Sequence, residues 1–421
     1  MQQSIAAVAL LMVACLPEST TGNVAAGENA QLFNQLCTLT GVAEAKIEIG
    51  GEAEDTNEID AEIQQLNMTF SSQDWQSIFK SGTGENDWQQ TVPPNFSSHQ
   101  TWSDHWPRWL QAVQAHASDK QQQKLKSRGA LQLEQHQILY LSRKLRVIAS
   151  KSATLASELK SLKVVEQAEA AKNAAKNLKI AAYGADKTAA GPLVGTEVFK
   201  GASKDNAKKC CENTAADKVT QTIAGTIICV CGGGATLKTA CVNPQSELTQ
   251  WNNGQTGTNT VWQELAKHCT HSITSNRPEE ILDSTLQSIK ATIKTDGSHA
   301  YLGAYRTTGC QASQATGFCV KYANDKRGTS DLFDSMEWVK TITDTVAALR
   351  QSRAATGRAR TIKKELSLLE AQLQAAIDAA KTVTATPTIQ VTGGAAPTGG
   401  NSDKTDECKQ YKPQKTCEAK G

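Results

Sequence analysis

The strongest constraint on this chain is an apolar repeat of period seven that begins just after Gly129. Leu131, Ile138, Leu145 and Leu159 fall on it, and Leu141, Ile148, Leu155 and Leu162 occupy the position three residues on. A stripe of this kind is buried only when another helix covers it, so the segment is predicted to be one partner of a coiled coil. Glu134 and Ser152 are its polar members. Beyond Leu162 the stripe shifts register and continues through Val164, Ala168, Ala171, Ala175, Leu178 and Ala182, small residues that let a partner come close, until Gly184 supplies a stop. Read as one helix, Ala130 to Tyr183 is a rod of roughly 80 Å.

A second seam runs through Ile362, Leu366, Leu369, Leu373, Ala376, Ala380 and Val383 in alternating four-three spacing. Its helix is expected to start at Asp334, which forms a capping-box pattern with Glu337, and must end before Pro387. The roughly 150 residues between the seams are enough to form a lobe joining their ends, so the simplest pairing is antiparallel. The predicted fold is mainly α: a long antiparallel two-helix coiled coil with a disulfide-stapled, loop-rich lobe.

That lobe, at about 185–332, is rich in Gly, Thr, Lys and Asn and shows little periodicity, so disulfides are expected to supply part of its stability. Residues 384–406 hold Pro387, Gly393, Gly394, Pro397, Gly399 and Gly400 and read as a flexible linker. Cys408 and Cys417 open a further Lys-rich unit over 407–421, expected to be only the start of a small cysteine-rich domain. At the other end, Ile5 to Leu16 is an apolar run followed by Pro17 and the small or polar Ser19 to Gly22, which reads as a signal peptide over 1–22 although no Lys or Arg precedes it. The run falls short of the roughly 20 residues that a membrane span needs. The helical ectodomain is then 23–383.

Export implies an oxidising compartment, where cysteines pair. With Cys15 leaving in the signal, the disulfide candidates are Cys37, Cys210, Cys211, Cys229, Cys231, Cys241, Cys269, Cys310 and Cys319 before the linker and Cys408 and Cys417 after it. Pairing is expected within the lobe and between the lobe and Cys37, with Cys408 and Cys417 bonded only inside their own unit. The odd count before the linker leaves one thiol over.

Two tripeptides match N-glycosylation acceptors: Asn67-Met68-Thr69 and Asn95-Phe96-Ser97. Asn95 follows Pro93-Pro94 in a turn that should be exposed, whereas Leu66 and Phe70 flank Asn67 with apolar surface. Cys229, Cys231, Cys241, His268, Cys269 and His271 are zinc-type ligands but lack paired Cys-x2-4-Cys knuckles, so no metal is expected. Gly232-Gly233-Gly234 has no GK[ST] after it and reads as a tight turn. No G-x-S-x-G elbow and no H-E-x-x-H occurs, so neither catalysis nor a cofactor is expected. A net charge of +2 over 421 residues offers no field for nucleic acid. Trp75, Trp88, Trp102, Trp106 and Trp109 read as packing anchors of the N-terminal segment.

Three stretches carry a family likeness: Asn29-Ala30-Gln31-Leu32-Phe33-Asn34-Gln35-Leu36-Cys37, then Leu66-Asn67-Met68-Thr69-Phe70 with Trp75, then Ala224-Gly225-Thr226-Ile227-Ile228-Cys229-Val230-Cys231. In this order and together with the seams, the chain resembles a variant surface glycoprotein of African trypanosomes with a B-class N-terminal domain. The resemblance implies an elongated homodimer standing in a dense coat on the outer face of the plasma membrane. Such a coat hides invariant proteins and is exchanged to escape host antibodies, with no catalysis and no cofactor. It also implies a C-terminal GPI anchor, whose spacer and apolar tail are expected to lie beyond Lys420-Gly421. Relatives of this class can bear O-linked hexose on distal loops, which makes Thr329 and Ser330 in the loop Asn324 to Ser330 candidate O-glycosylation positions; Ser330 also reads as a helix cap. The alternative from another class is a receptor on the same scaffold, like the transferrin or haptoglobin-haemoglobin receptors of these parasites.

Overall fold

The computed structural model describes residues 22–50, 57–82, 84, 87–99, 101–116, 119–201, 204–242, 248–269, 273–306, 309–325 and 332–384. The signal peptide apart from Gly22, the linker apart from Thr384, the C-terminal unit, Cys15, Cys408, Cys417, His271, Thr329 and Ser330 lie outside these residues. The fold is mainly helical. The chain forms α1 (Ala30–Glu44), α2 (Asn57–Thr69), α3 (Gln73–Ser77), α4 (Trp102–His116), α5 (Asp119–Ser127), α6 (Gln135–Ser161) and α7 (Val164–Tyr183). Short helices α8 (Gly195–Val198) and α9 (Ala207–Cys211) lead to strand β1 (Glu212–Asn213), then α10 (Ile223–Cys231), α11 (Thr258–Leu265) and α12 (Pro278–Ala291). Strands β2 (Lys294–Thr295), β3 (Ala300–Tyr305) and β4 (Gly317–Tyr322) precede the last helix, α13 (Glu337–Thr382). At 46 residues, α13 is about 70 Å long.

α13 runs antiparallel to α6 and α7, because low-numbered residues on one side meet high-numbered ones on the other. His136 Nε2 lies 2.9 Å from the Val383 carbonyl oxygen, Arg358 Nε 2.6 Å from Glu158 Oε1, and Thr345 Oγ1 donates to the Ala174 carbonyl at 3.1 Å. Leu141, Leu145, Leu155, Ile362, Leu366, Leu369 and Leu373 are buried between them. The spine differs from the sequence expectation in three ways. The segment from Ala130 to Tyr183 is two helices, because Lys163 takes a left-handed φ of 46° where the stripe changes register. α6 starts only at Gln135, so Leu131 is 47% exposed outside the helix, and Glu134 is its N-cap, donating its backbone N–H to Gln137 Oε1 at 2.9 Å. α13 starts at Glu337 with Met336 as N-cap, and the Asp334 carboxylate is occupied instead by Lys290 of α12.

Nor is the half of the spine formed by α6 and the C-terminal part of α13 a two-helix arrangement. Ile63 and Leu66 of α2 are fully buried in the same cluster as Leu141, Leu145, Ile362 and Leu366, so α2 packs there as a third helix. Beside it, α3 and α4 enclose a small aromatic core in which Phe79 and Trp106 are buried, with Trp75 edge-on to Phe79, Trp102 and Trp109. The Trp106 indole N–H donates to the Gln89 carbonyl at 2.8 Å.

The segment expected to be loop-rich contains a helix-and-sheet head. Every residue of α10 is buried. A helix apolar on all sides has no period to read, which is why the sequence looked irregular there. α10 lies under a four-stranded sheet of order β1-β4-β3-β2, in which β3 and β4 are antiparallel with Leu302 opposite Val320, and β1 is parallel to β4. Disulfides Cys211–Cys229 and Cys231–Cys241 both fix the C-terminal turn of α10, and Cys310–Cys319 fixes the start of β4. Cys37–Cys269 ties α1 to the segment after α11. Asn29, 4% exposed, donates from one amide nitrogen to the carbonyls of Val230 at 2.7 Å and Phe318 at 2.8 Å, joining α1, α10 and β4. Gly184 ends α7 at φ 83°, where a Cβ would come within 2.3 Å of the Glu197 carbonyl oxygen, so the spine enters the head through a position that excludes a side chain.

Candidate functional site

Asn95 sits on the short 3-10 turn Pro94–Phe96 and is exposed. Pro93, extended at φ −60°, fixes the chain before it, and proline at the first position of the turn needs no N–H. Asn67 is placed differently. It lies in the last turn of α2, is half-buried, and its side-chain amide makes no hydrogen bond. The hydroxyl of Thr69 in the same tripeptide donates to the Gln65 carbonyl at 2.8 Å and lies 3.1 Å from His116 Nδ1. Burial pushes the pKa of His116 below the usual imidazole value, which favours its neutral form.

Asn67 opens into a groove of about 970 Å³ between α6 on one side and α2, α3 and α4 on the other. Phe70, Trp75, His105 and Trp109 form one wall, and Ser142, Arg146, Ser150 and Thr154 of α6 line the other. No spacing in the sequence announces this groove, since its walls come from segments separated by the whole of α5.

The thiol left over is Cys210, buried beside the Cys211–Cys229 bridge, and burial pushes its pKa up to about 12. It is therefore a protonated core residue with no nucleophilic role at neutral pH. Cys229, Cys231, Cys241 and Cys269, weighed as zinc ligands, are consumed by disulfides. Among the described residues no group of three or more His, Cys, Asp or Glu side chains is gathered for a metal ion, and no helix is long and apolar enough to cross a membrane.

The spine has an outward face with apolar side chains on it. Val147 is 70% exposed and Leu139, eight residues earlier on the same side of α6, is 53% exposed, with Tyr140, Arg143 and Lys144 around them. Leu368 on α13 and Val165 on α7 are likewise exposed.

A long helical spine carrying a disulfide-stapled head at one end and an aromatic-cored unit at the other defines the class as a helical scaffold that presents surface. The family model described as a trypanosomal VSG domain matches residues 11–368, and the chain belongs to this family of variant surface glycoproteins. It is 26% identical over 375 residues to variant surface glycoprotein ILTAT 1.23 of Trypanosoma brucei brucei, an alignment that covers 86% of this chain and 69% of that relative. A coat role at the cell surface follows from that membership.

Proposed function

We propose that this chain builds a dense, exchangeable coat that shields the cell surface and defeats host antibodies by antigenic variation. The observation that carries the reading is the coincidence of the family match over 11–368 with a spine of α6, α7 and α13 that gives height with little width. The head can then change its exposed loops without disturbing the seam. In this reading the spine is an antiparallel coiled coil, two copies associate along it, and the exposed apolar residues Leu139 and Val147 supply part of the contact.

The reading also takes in a signal peptide over 1–22, a linker over 384–406, and a C-terminal domain that carries a GPI anchor. Asn67 and Asn95 carry N-glycans, and Thr329 or Ser330 an O-linked sugar. The comparison with ILTAT 1.23 gives no support to the receptor alternative.

Expression in a trypanosome as the only coat protein tests the proposal. Phosphatidylinositol-specific phospholipase C should release the protein from intact cells, and antibodies raised against it should stop binding once the cell exchanges its coat. Protein that resists release, or that stays at low copy number and captures a serum ligand, overturns it.

A further inference from the structure

The groove beside Asn67 has the two kinds of wall that a sugar needs. An N-acetylglucosamine ring presents apolar C–H faces and a rim of hydroxyl and acetamide groups. Trp75 and Trp109 offer half-buried aromatic surface on one side, while Ser142, Ser150 and Thr154 offer hydroxyls on the other. A solvent-open groove lined by Phe70, Trp75 and Trp109 leaves apolar surface exposed to water, which favours an occupant that covers it.

Asn67 stands in the wall of the groove, and its amide is free while nearby amides are engaged. Gln64 donates to Asp60 and to the Ala149 carbonyl, and Gln76 donates to the Met68 carbonyl. Asn95, by contrast, is exposed on its turn and does not line this groove. The two acceptors therefore present a glycan to different surroundings.

We propose that the groove is the seat of the first sugars of an N-glycan on Asn67, which pack against Trp75 and Trp109 and lie between α4 and α6. The inference rests on glycosylation of Asn67. A glycan held there covers the apolar floor of the groove and braces the aromatic unit against the spine, whereas a glycan on Asn95 extends freely into solvent.

The test uses the full chain made in a glycosylating eukaryotic cell, treated with peptide N-glycosidase before and after denaturation, with conversion of each Asn to Asp followed by peptide mapping. In the native protein, release from Asn67 should be about tenfold slower than from Asn95, because it waits on local opening, and the two rates should converge after denaturation. Trp109→Ala should raise the native rate at Asn67 and leave Asn95 unchanged. Ser150→Trp, an exposed position on the opposite wall, should do the same by filling the seat without touching the aromatic core. Equal native rates at the two sites overturn the seat while the modification stands. An Asn67 that carries no glycan removes both. Protection that disappears on dilution to monomer and ignores both substitutions assigns the groove to a second copy of the chain and also overturns the proposal.

Discussion

Ser152 Oγ donates to Asp60 Oδ1 at 2.7 Å, and both residues are buried, at 0% and 6% exposure. This pair accounts for the one polar residue inside the apolar seam of α6. The acceptor comes from α2, and the same carboxylate takes Gln64 Nε2 at 3.1 Å and lies 3.3 Å from Arg108 Nε, so it links three helices. Asp60→Ala would leave the Ser152 hydroxyl without its acceptor and should cost about 1–3 kcal/mol in denaturant unfolding. Ser152→Ala should cost less, and the double variant less than the sum. Strict additivity would show that the two residues do not act together.

The buried seam should respond steeply to truncation. Leu145 and Leu369 are 0% and 2% exposed, and replacing either with Ala should cost about 2–5 kcal/mol by lost transfer energy and the cavity left behind. Leu145→Asp should be more damaging, because it buries an unpaired charge. Leu368→Ala, one residue along but exposed, should stay within about 0.5 kcal/mol. Melting curves for Leu145→Asp that match the parent would remove the seam.

Among the nine cysteines from Cys37 to Cys319, one thiol should react. Iodoacetamide should leave the native protein unlabelled in this region, since Cys210 is buried and protonated, and should label Cys210 alone after denaturation without reductant. Labelling of any other position in that set contradicts the pairing. Replacing both Cys37 and Cys269 with Ser, which opens a loop of 232 residues, should cost about 2–5 kcal/mol, the usual loss when a native bridge is removed.

The fork between Arg358 and Glu158, 2.6 Å from Nε to Oε1 and 2.7 Å from Nη2 to Oε2, ties α13 to α6 near the break at Lys163. The hydrogen bond from Arg358 holds the Glu158 carboxyl below its ordinary pKa. A depressed carboxylate contributes stability above the unfolded-state value of about 4.3, and that contribution is lost as pH falls through the lower folded value. Glu158→Gln should therefore melt slightly below the parent at neutral pH, with the gap closing in acid. Because both groups face solvent, added salt should narrow the gap as well. A gap that widens in acid would contradict the assignment.

The proposed association along the spine is open to a direct test at Val147. Val147→Asp should shift sedimentation from dimer toward monomer and leave the melting of each chain nearly unchanged, because a side chain exposed in the single chain carries little of its stability. An unaltered dimer would place the contact on another face.

The sequence by itself determined that long helices would exist and roughly where. Apolar residues recurring through Leu141, Leu145 and Ile148 and through Ile362, Leu366 and Leu369 can be buried only on one side of a helix, a local property of spacing. It also supplied the family, through the stretches around Asn29, Leu66 and Ala224. Tertiary structure decided the rest. The left-handed turn at Lys163 falls where the leucines of α6 give way to the alanines of α7 along α13, and helix α10 is apolar all round, so its period vanishes and only its neighbours define it. Asn29 reads as an ordinary polar residue until Val230 and Phe318 bring it two carbonyls. The groove at Asn67 exists because α4 and α6 meet across a long stretch of chain, and no spacing along that chain encodes a meeting of its two walls.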